Sequence, residues 1–388
     1  MNRRNFIKVV GTGSVILAAT PFMMTQFTNE ASSPLRPSHQ QDDLRKTLIS
    51  YAMLCPNPHN KQPWKVAFIG KDTIRLYVDQ ERLLPQTDPI HRQIHIGQGT
   101  FIESLVIAAS QIGILATIDY FPEGEYDNQS IASLPVADIK LEKSDQVEPD
   151  PLFAQLLIRQ STKTPYRDEK LNANQISALR AVIENSDVSL RFIDTPTDNE
   201  AMANYLVNAM EIEEQNKERS LETIAMFRFN DQEISTYRDG FGLEQNGVTG
   251  IKKLIAQNFF ISRDKAESDP ASFGKEGVKS VKNAVENTQH YAWLSTSDNS
   301  RKTQVELGRL YNRFNLTATA LGIAQHPMSQ VLQEYKDMLP IQSEFKQHFG
   351  IKPADTVQML FRLGKADRTP STARREVSSI LTEPFKTA

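Results

Sequence analysis

Cysteine is almost missing from this chain. Its 388 residues contain one, Cys55, which excludes an internal disulfide and any zinc site built on several thiolates. An excess of one charge is missing too. Lys and Arg number 44 against 47 Asp and Glu, a net charge of −3, so nothing global attracts nucleic acid, although a local basic cluster could still hold one small anion. The apolar stretch near the N-terminus falls short of the roughly 18–20 uninterrupted residues that a membrane helix requires. No nucleophile elbow is found among the Ser, His and Asp residues, so hydrolase chemistry has no support. His91 and His95 are four apart, a spacing that suits a metal on a helix, but no third histidine joins them and they read as a structural or exposed pair. Aromatics make up only 8%, yet hydrophobic residues reach 39%, enough to build a sizeable core.

The N-terminus carries the first positive signal. Arg3-Arg4-Asn5-Phe6-Ile7-Lys8 is a basic pair followed by an aromatic, an aliphatic and a lysine. A short apolar segment follows from Val9 to about Met24, interrupted by Gly11 and Gly13. This is the layout of a twin-arginine export signal. It overrules the cytoplasmic hint of a chain without disulfides. The expectation is a signal over residues 1–31 read by the twin-arginine translocase. The protein is then periplasmic, or membrane-associated if the signal stays uncleaved; cleavage points near Ala19 or Ala31 fit. That route moves folded proteins, which suits a cofactor inserted before export.

Residues 32–41 read as a linker, 42–143 as a first half, 144–158 as a charged connector, and 159–388 as a second half with a polar insertion at about 220–299. The periodicity predicts helices over 42–53, 97–115, 172–184, 199–219 and 304–323, and strands over 66–69, 74–78, 188–193 and 357–363. The fold class is α+β. An internal repeat links the halves. Gly99 to Gly113 and Gly308 to Gly322 share their spacing, each an apolar helix with small residues and a Gly-Ile ending, the second at Gly322-Ile323. Small residues let two helices approach closely, and glycine ends a helix.

Three constellations carry chemistry. The first is the loop Cys55-Pro56-Asn57-Pro58-His59-Asn60-Lys61-Gln62-Pro63-Trp64. Its prolines stiffen the chain, and the amides of Asn60 and Gln62 offer donors and acceptors for the polar edge of a heterocycle. The second is Arg159-Gln160-Ser161-Thr162-Lys163. On an extended segment Arg159, Ser161 and Lys163 share one side, where guanidinium and hydroxyl suit a phosphate and ammonium suits developing negative charge. The third is Arg374-Arg375 near the C-terminus, a pair able to close on the same phosphate. Taken singly, the first is at least as well an ordinary Pro-rich turn, and the second and third are better read as a solvated basic loop and a basic tail.

Together these residues resemble the nitroreductase family, with its Pro-Ser-Ser-x-Asn-x-Gln-Pro-Trp loop, Arg-x-Ser-x-Lys/Arg strand, Gly-Ile helix end and late Arg-Arg pair. Their order is similar to that of the Acg-type branch, in which two nitroreductase-like halves are fused in one chain. The resemblance spans about Asp42 to Leu381. It implies FMN held noncovalently, and electron transfer from NAD(P)H or a protein donor to a small acceptor such as a quinone or nitro compound. It also implies a pseudo-dimer that works as a monomer, with one flavin between its halves. Asn57, Pro58, His59, Asn60 and Gln62 then face the ring, with Gly322 and Ile323 beside it. Lys163 stabilises the reduced ring, and Arg159, Ser161, Arg374 and Arg375 hold phosphate and ribityl. No metal and no catalytic side chain is implied, because the flavin carries the chemistry. Asn57 and Pro58 replace the usual serine pair, and Glu103 stands where an amide is common. The branch is poor at ordinary nitroreduction, so an FMN-sequestering or storage protein is the alternative.

Overall fold

The computed structural model describes residues 35–127, 131 and 133–385. The twin-arginine segment lies outside them. The helices are α1 Leu44–Ala52, α2 Arg92–Ser110, α3 Phe153–Ile158, α4 Ala173–Ala181, α5 Pro196–Glu214, α6 Lys217–Met226, α7 Asp231–Tyr237, α8 Gly250–Ile255, α9 Arg263–Ser268, α10 Pro270–Val285, α11 Arg301–Ala320 and α12 Leu339–His348. The strands are β1 Trp64–Ile69, β2 Thr73–Val78, β3 Ile114–Tyr120, β4 Ala137–Lys143, β5 Ser189–Ile193, β6 Phe227–Arg228, β7 Phe241–Gly242, β8 His290–Thr296, β9 Ala324–Pro327 and β10 Thr356–Gly364.

Two four-stranded sheets have the same design. One runs β1-β2-β4-β3 and the other β5-β8-β10-β9, with every pairing antiparallel. In each half the chain lays down two neighbouring strands, then a long helix, then an edge strand and a strand that returns to the centre. The fold is therefore α+β and internally duplicated.

The two long helices, α2 and α11, pack against each other at the centre, and glycine is what lets them meet. A Cβ on Gly99 would stand 1.9 Å from the Val305 carbonyl oxygen, and one on Gly308 would stand 2.1 Å from that of Ile96. The reciprocity is that of a two-fold axis between equivalent positions. The helix starts repeat it. Arg92 and Arg301 open their helices, both fully buried, and each reaches into the opposite half. Arg92 donates to Leu332 O at 2.9 Å and to Gln358 O at 2.7 Å, and Arg301 to Asp127 O at 3.1 Å. The C-terminal tail adds a strap, with Val66 N–H of β1 donating to Ile380 O at 2.8 Å.

Several expected boundaries move, for identifiable reasons. Helix α2 starts at Arg92 rather than 97, because the buried Asp88 carboxylate accepts from Gln93 N–H and Ile94 N–H at 3.2 and 2.9 Å and caps the helix from outside its sequence window. The helix expected over 199–219 breaks at Gln215-Asn216, where the Asn216 side chain caps α6. The connector 144–158 ends in helix α3. The insertion occupies the interval between β5 and β8, opposite the tight β1–β2 turn of the other half. It therefore starts before 220, and residues 290–296 belong to a central strand buried along its whole length. The segment read as a linker is anchored, with Arg36 buried and Leu35 O accepting from Arg374 N–H at 2.8 Å.

Candidate functional site

The loop between α1 and β1 holds an unusual backbone. His59, Asn60 and Gln62 have φ of 50, 52 and 52°, the left-handed region that costs a side-chain-bearing residue energy and is kept where neighbours impose it. The neighbours are visible. Asn57 Oδ1 accepts from Gln62 N–H at 2.8 Å. Asn60 Nδ2 donates to Gly240 O at 2.9 Å and Ala373 O at 3.1 Å. Gln62 Nε2 donates to Arg238 O at 2.9 Å, and its Oε1 accepts from Arg375 N–H at 2.9 Å. Thr100 Oγ1 and Gln98 Nε2 of α2 hold Pro56 O and Pro63 O at 2.6 and 2.8 Å, and Pro58 lies over Gly97. The loop is thus clamped between α2, the insertion and the C-terminal segment.

This corrects one expectation and narrows another. Gln62 is fully buried and both ends of its amide are engaged within the chain, so it builds the loop rather than reading a ring. Asn60 spends its donor the same way, and only its Oδ1 lacks a partner.

The arginines divide. Arg159 and Arg374 converge on the end of α1. Arg159 Nη2 and Arg374 Nη2 both donate to Leu54 O, at 3.2 and 3.4 Å, and Arg374 Nε donates to Met53 O at 2.7 Å. Arg159 Nε and Nη1 are buried with no protein acceptor. Arg374 is held well below the usual arginine range by burial, then by Arg36 and Arg159; among the described residues no carboxylate offsets it. Arg374 spends its other donors within the chain too, Nη1 on Thr372 Oγ1 and Ala373 O and Nη2 also on Cys55 O, so it adds charge behind Arg159, whose two unused donors fit a bound anion such as a phosphate. Arg375 turns away. Its guanidinium donates to Gln62 O at 3.2 Å and Ser379 O at 2.7 Å and faces Asp79 at 3.6 Å, so the two arginines of the expected pair do not converge. Ser161 is half-buried two residues beyond Arg159.

Lys163 places Nζ 3.7 Å above the Phe241 ring, and burial pulls its pKa down to about 8. The His59 ring meets Phe241 edge-on. Its pKa falls to about 4, through burial first and then Lys163 and Lys61, and its buried Nδ1 has no partner. Loop and lysine therefore face one locus, roofed by Phe241. Thr164, the residue after Lys163, borders a cleft of about 290 Å³ together with Thr249, Arg368 and Thr369. The Gly322-Ile323 pair plays another part. Gly322 ends α11 at φ 65° with its carbonyl on Lys365 Nζ at 3.1 Å, and Ile323 is buried in the second half's core.

Sequence reasoning missed Arg36, Phe241, His326 and Arg362. Arg36-Pro37-Ser38 repeats the Arg-x-Ser spacing of Arg159–Ser161, a signal hidden by the linker reading. Phe241 lies in the segment that no periodicity organised. The Cys55 thiol is pushed up to about 11 by burial and is no nucleophile. His95 spends both ring nitrogens, on His91 O and Tyr126 Oη, each at 2.6 Å. Among the described residues no group of three or more His, Cys, Asp or Glu side chains could hold a metal.

The site sets a buried guanidinium with unused donors near a cationic, aromatic-roofed locus, at the junction of two halves related by an internal two-fold. Against known proteins, no family model matches the chain. The chain is similar over most of its length to two Mycobacterium tuberculosis proteins whose names provisionally assign them as NAD(P)H nitroreductases. Rv3131 is 23% identical over 351 residues, covering 87% of this chain and 91% of that protein. The acg protein is 24% identical over 359 residues, covering 87% and 95%. Among solved structures, an Anabaena variabilis protein provisionally assigned as a nitroreductase aligns over 88% of this chain and 91% of its own, at 9% identity and a TM-score of 0.42. The FMN-dependent nitroreductase NfnB from Mycobacterium smegmatis, solved with NADPH, aligns over 59% and 90%, at 15% identity and a TM-score of 0.33.

Proposed function

We propose that this chain is an FMN-binding oxidoreductase of the nitroreductase family, with one flavin between its halves. The observation that carries the reading is Arg159 with two unused donors, beside Arg374, buried and without a carboxylate. The motif resemblance and the similarity, over 87% of the chain, to proteins provisionally named as nitroreductases support it. In this reading Arg159 holds the phosphate with the charge of Arg374 behind it, and the locus beside His59, Lys163 and Phe241 takes the ring. FMN supplies two-electron redox chemistry when bound. The chain supplies binding and electrostatics. Lys163 favours whichever redox form carries negative charge at the pyrimidine end. His59, neutral at physiological pH, adds an unpartnered polar nitrogen. NAD(P)H or a protein is the donor, and a small quinone or nitro compound the acceptor.

One observation favours a second reading, FMN sequestration without efficient turnover. The 238–241 segment is hydrogen-bonded to the loop through Asn60 and Gln62, and Phe241 roofs Lys163. A small acceptor must pass this cover. An absorption spectrum with stepwise reductive titration, followed by mixing with a quinone, tests both readings. A yellow protein whose reduced form is reoxidised rapidly supports the oxidoreductase. Reduction without reoxidation supports sequestration, and a colourless protein that takes up no added FMN refutes both.

The Arg3-Arg4 signal adds a proposed location, export by the twin-arginine route to the periplasm or its membrane face. Changing both arginines to lysine should leave folded, flavin-loaded protein in the cytoplasm. Cell fractionation that finds the double variant exported normally would sink this proposal.

A further inference from the structure

Arg362 stands near the end of β10, between Phe361 and Leu363, and is fully buried. At such depth a guanidinium ordinarily meets a carboxylate. Here every acceptor is neutral. Nε donates to His326 Nδ1 at 3.2 Å and Nη1 to Ala284 O at 2.7 Å. Nη2 reaches three successive carbonyls, Thr162 O at 3.3 Å, Lys163 O at 2.8 Å and Thr164 O at 2.9 Å. The Tyr166 ring stacks on the guanidinium at 3.8 Å.

Three consecutive carbonyls on one nitrogen exclude an extended segment, in which successive carbonyls point to opposite sides. The sequence expectation of a strand through Arg159–Lys163 therefore fails: none of these residues lies in a strand, and Arg362 gathers residues 162–164 into an irregular turn that bends at Thr164. Thr162 N–H, donating to Gln325 O of β9 at 2.9 Å, fixes the other side. The turn carries Lys163 to its place over Phe241. The bond from Arg362 Nε makes His326 Nδ1 an acceptor, which leaves the ring proton on Nε2. Burial first, then Arg362 and Lys163, keep that imidazole neutral.

We propose that Arg362 is a positioning residue of the cofactor site. It shapes the turn that presents Lys163, and it sets a second positive charge, balanced only by dipoles, behind that lysine. Both effects favour an anionic ligand, most of all a ring that gains negative charge on reduction. This inference rests on the FMN reading for its redox part and on geometry alone for its effect on Lys163.

The test compares Arg362→Gln, Arg362→Lys and Tyr166→Leu in the full chain. Three quantities are measured: the FMN dissociation constant by flavin fluorescence, the midpoint potential by dye-coupled titration, and the titration of the Lys163 amine by reductive methylation of flavin-free protein with mass spectrometry. Arg362→Gln should weaken FMN about ten-fold or more, the loss expected for charge-assisted bonds. It should also lower the midpoint potential and return Lys163 toward the titration of an ordinary lysine. Arg362→Lys keeps the charge without the fork, so it should retain more of the potential than of the affinity. Tyr166→Leu, with the charge intact, should shift the Lys163 titration in the same direction as Arg362→Gln. Folded variants with wild-type affinity, potential and Lys163 titration would overturn the proposal. So would variants that only melt earlier, because a merely structural role moves neither a potential nor a lysine titration. If the wild-type chain takes up no FMN, the FMN reading fails separately and the Lys163 titration decides the positioning role.

Discussion

A lysine that titrates near pH 8 is partly charged in ordinary buffers, and this gives Lys163 a measurable signature. Burial depresses its folded pKa from 10.5 to about 8. Between those values the unfolded chain binds more protons than the folded one, so this residue makes flavin-free protein more stable as pH rises through that window, and its burial cost is fully felt below pH 8. An anion beside Nζ reverses the shift. FMN binding at pH 8.5–9 should therefore be accompanied by proton uptake, and binding at pH 6.5 by much less. Calorimetry in buffers of different ionisation enthalpy reads this directly. Lys163→Gln should abolish the uptake and lower the flavin's midpoint potential more than it weakens binding. Equal proton uptake in wild type and variant would place the lysine elsewhere. Arg159→Ala should cost about ten-fold or more in FMN affinity, because it removes a buried charge-assisted contact.

Among the elements, the crossing of α2 and α11 is the least forgiving contact. Gly99→Ala or Gly308→Ala drives a methyl into a facing carbonyl and should cost about 1–3 kcal/mol or more by denaturant titration. Gly97→Ala, whose Cβ would stand 3.4 Å from Pro58 Cδ, should cost far less; similar losses at all three positions would contradict this contact geometry. Helix α5 carries a pH-sensitive site. Burial, then neighbouring Glu214, raises Glu213 from 4.5 to about 7, while Tyr335 Oη donates to it at 3.0 Å. The folded state keeps a proton that the unfolded state releases, so this carboxyl costs stability as pH climbs from 4.5 to 7 and beyond. Glu213→Gln should raise Tm at pH 8 and leave it near wild type at pH 4.5. The repeat of α2 and α11 was legible because glycine spacing survives in sequence. The start of α2 was not, because its cap, Asp88, lies outside the helical pattern. At the site, Arg159 and Lys163 were legible as a charged cluster with a motif. Arg362 was not, because a lone arginine in an apolar strand reveals nothing of the three carbonyls it gathers from 200 residues away.

At the scale of the whole molecule, the two sheets and crossed helices form a dimer written in one chain. Pro56–Trp64 and Arg159–Lys163 occur once each, so one complete site can be assembled. One FMN per chain is the expected stoichiometry, checked by absorbance after denaturation; two per chain would overturn it. The reciprocal meeting of Gly99 and Gly308 then bears on dilution. A site shared between separate subunits weakens when their concentration falls below the dimer's dissociation constant. Here the chain running from β4 to β5 keeps the partner half at a fixed, high effective concentration. The flavin's affinity should thus be the same at nanomolar as at micromolar protein. Such independence is what a site carried entirely by one chain predicts, and a flavin affinity that falls on dilution would contradict it.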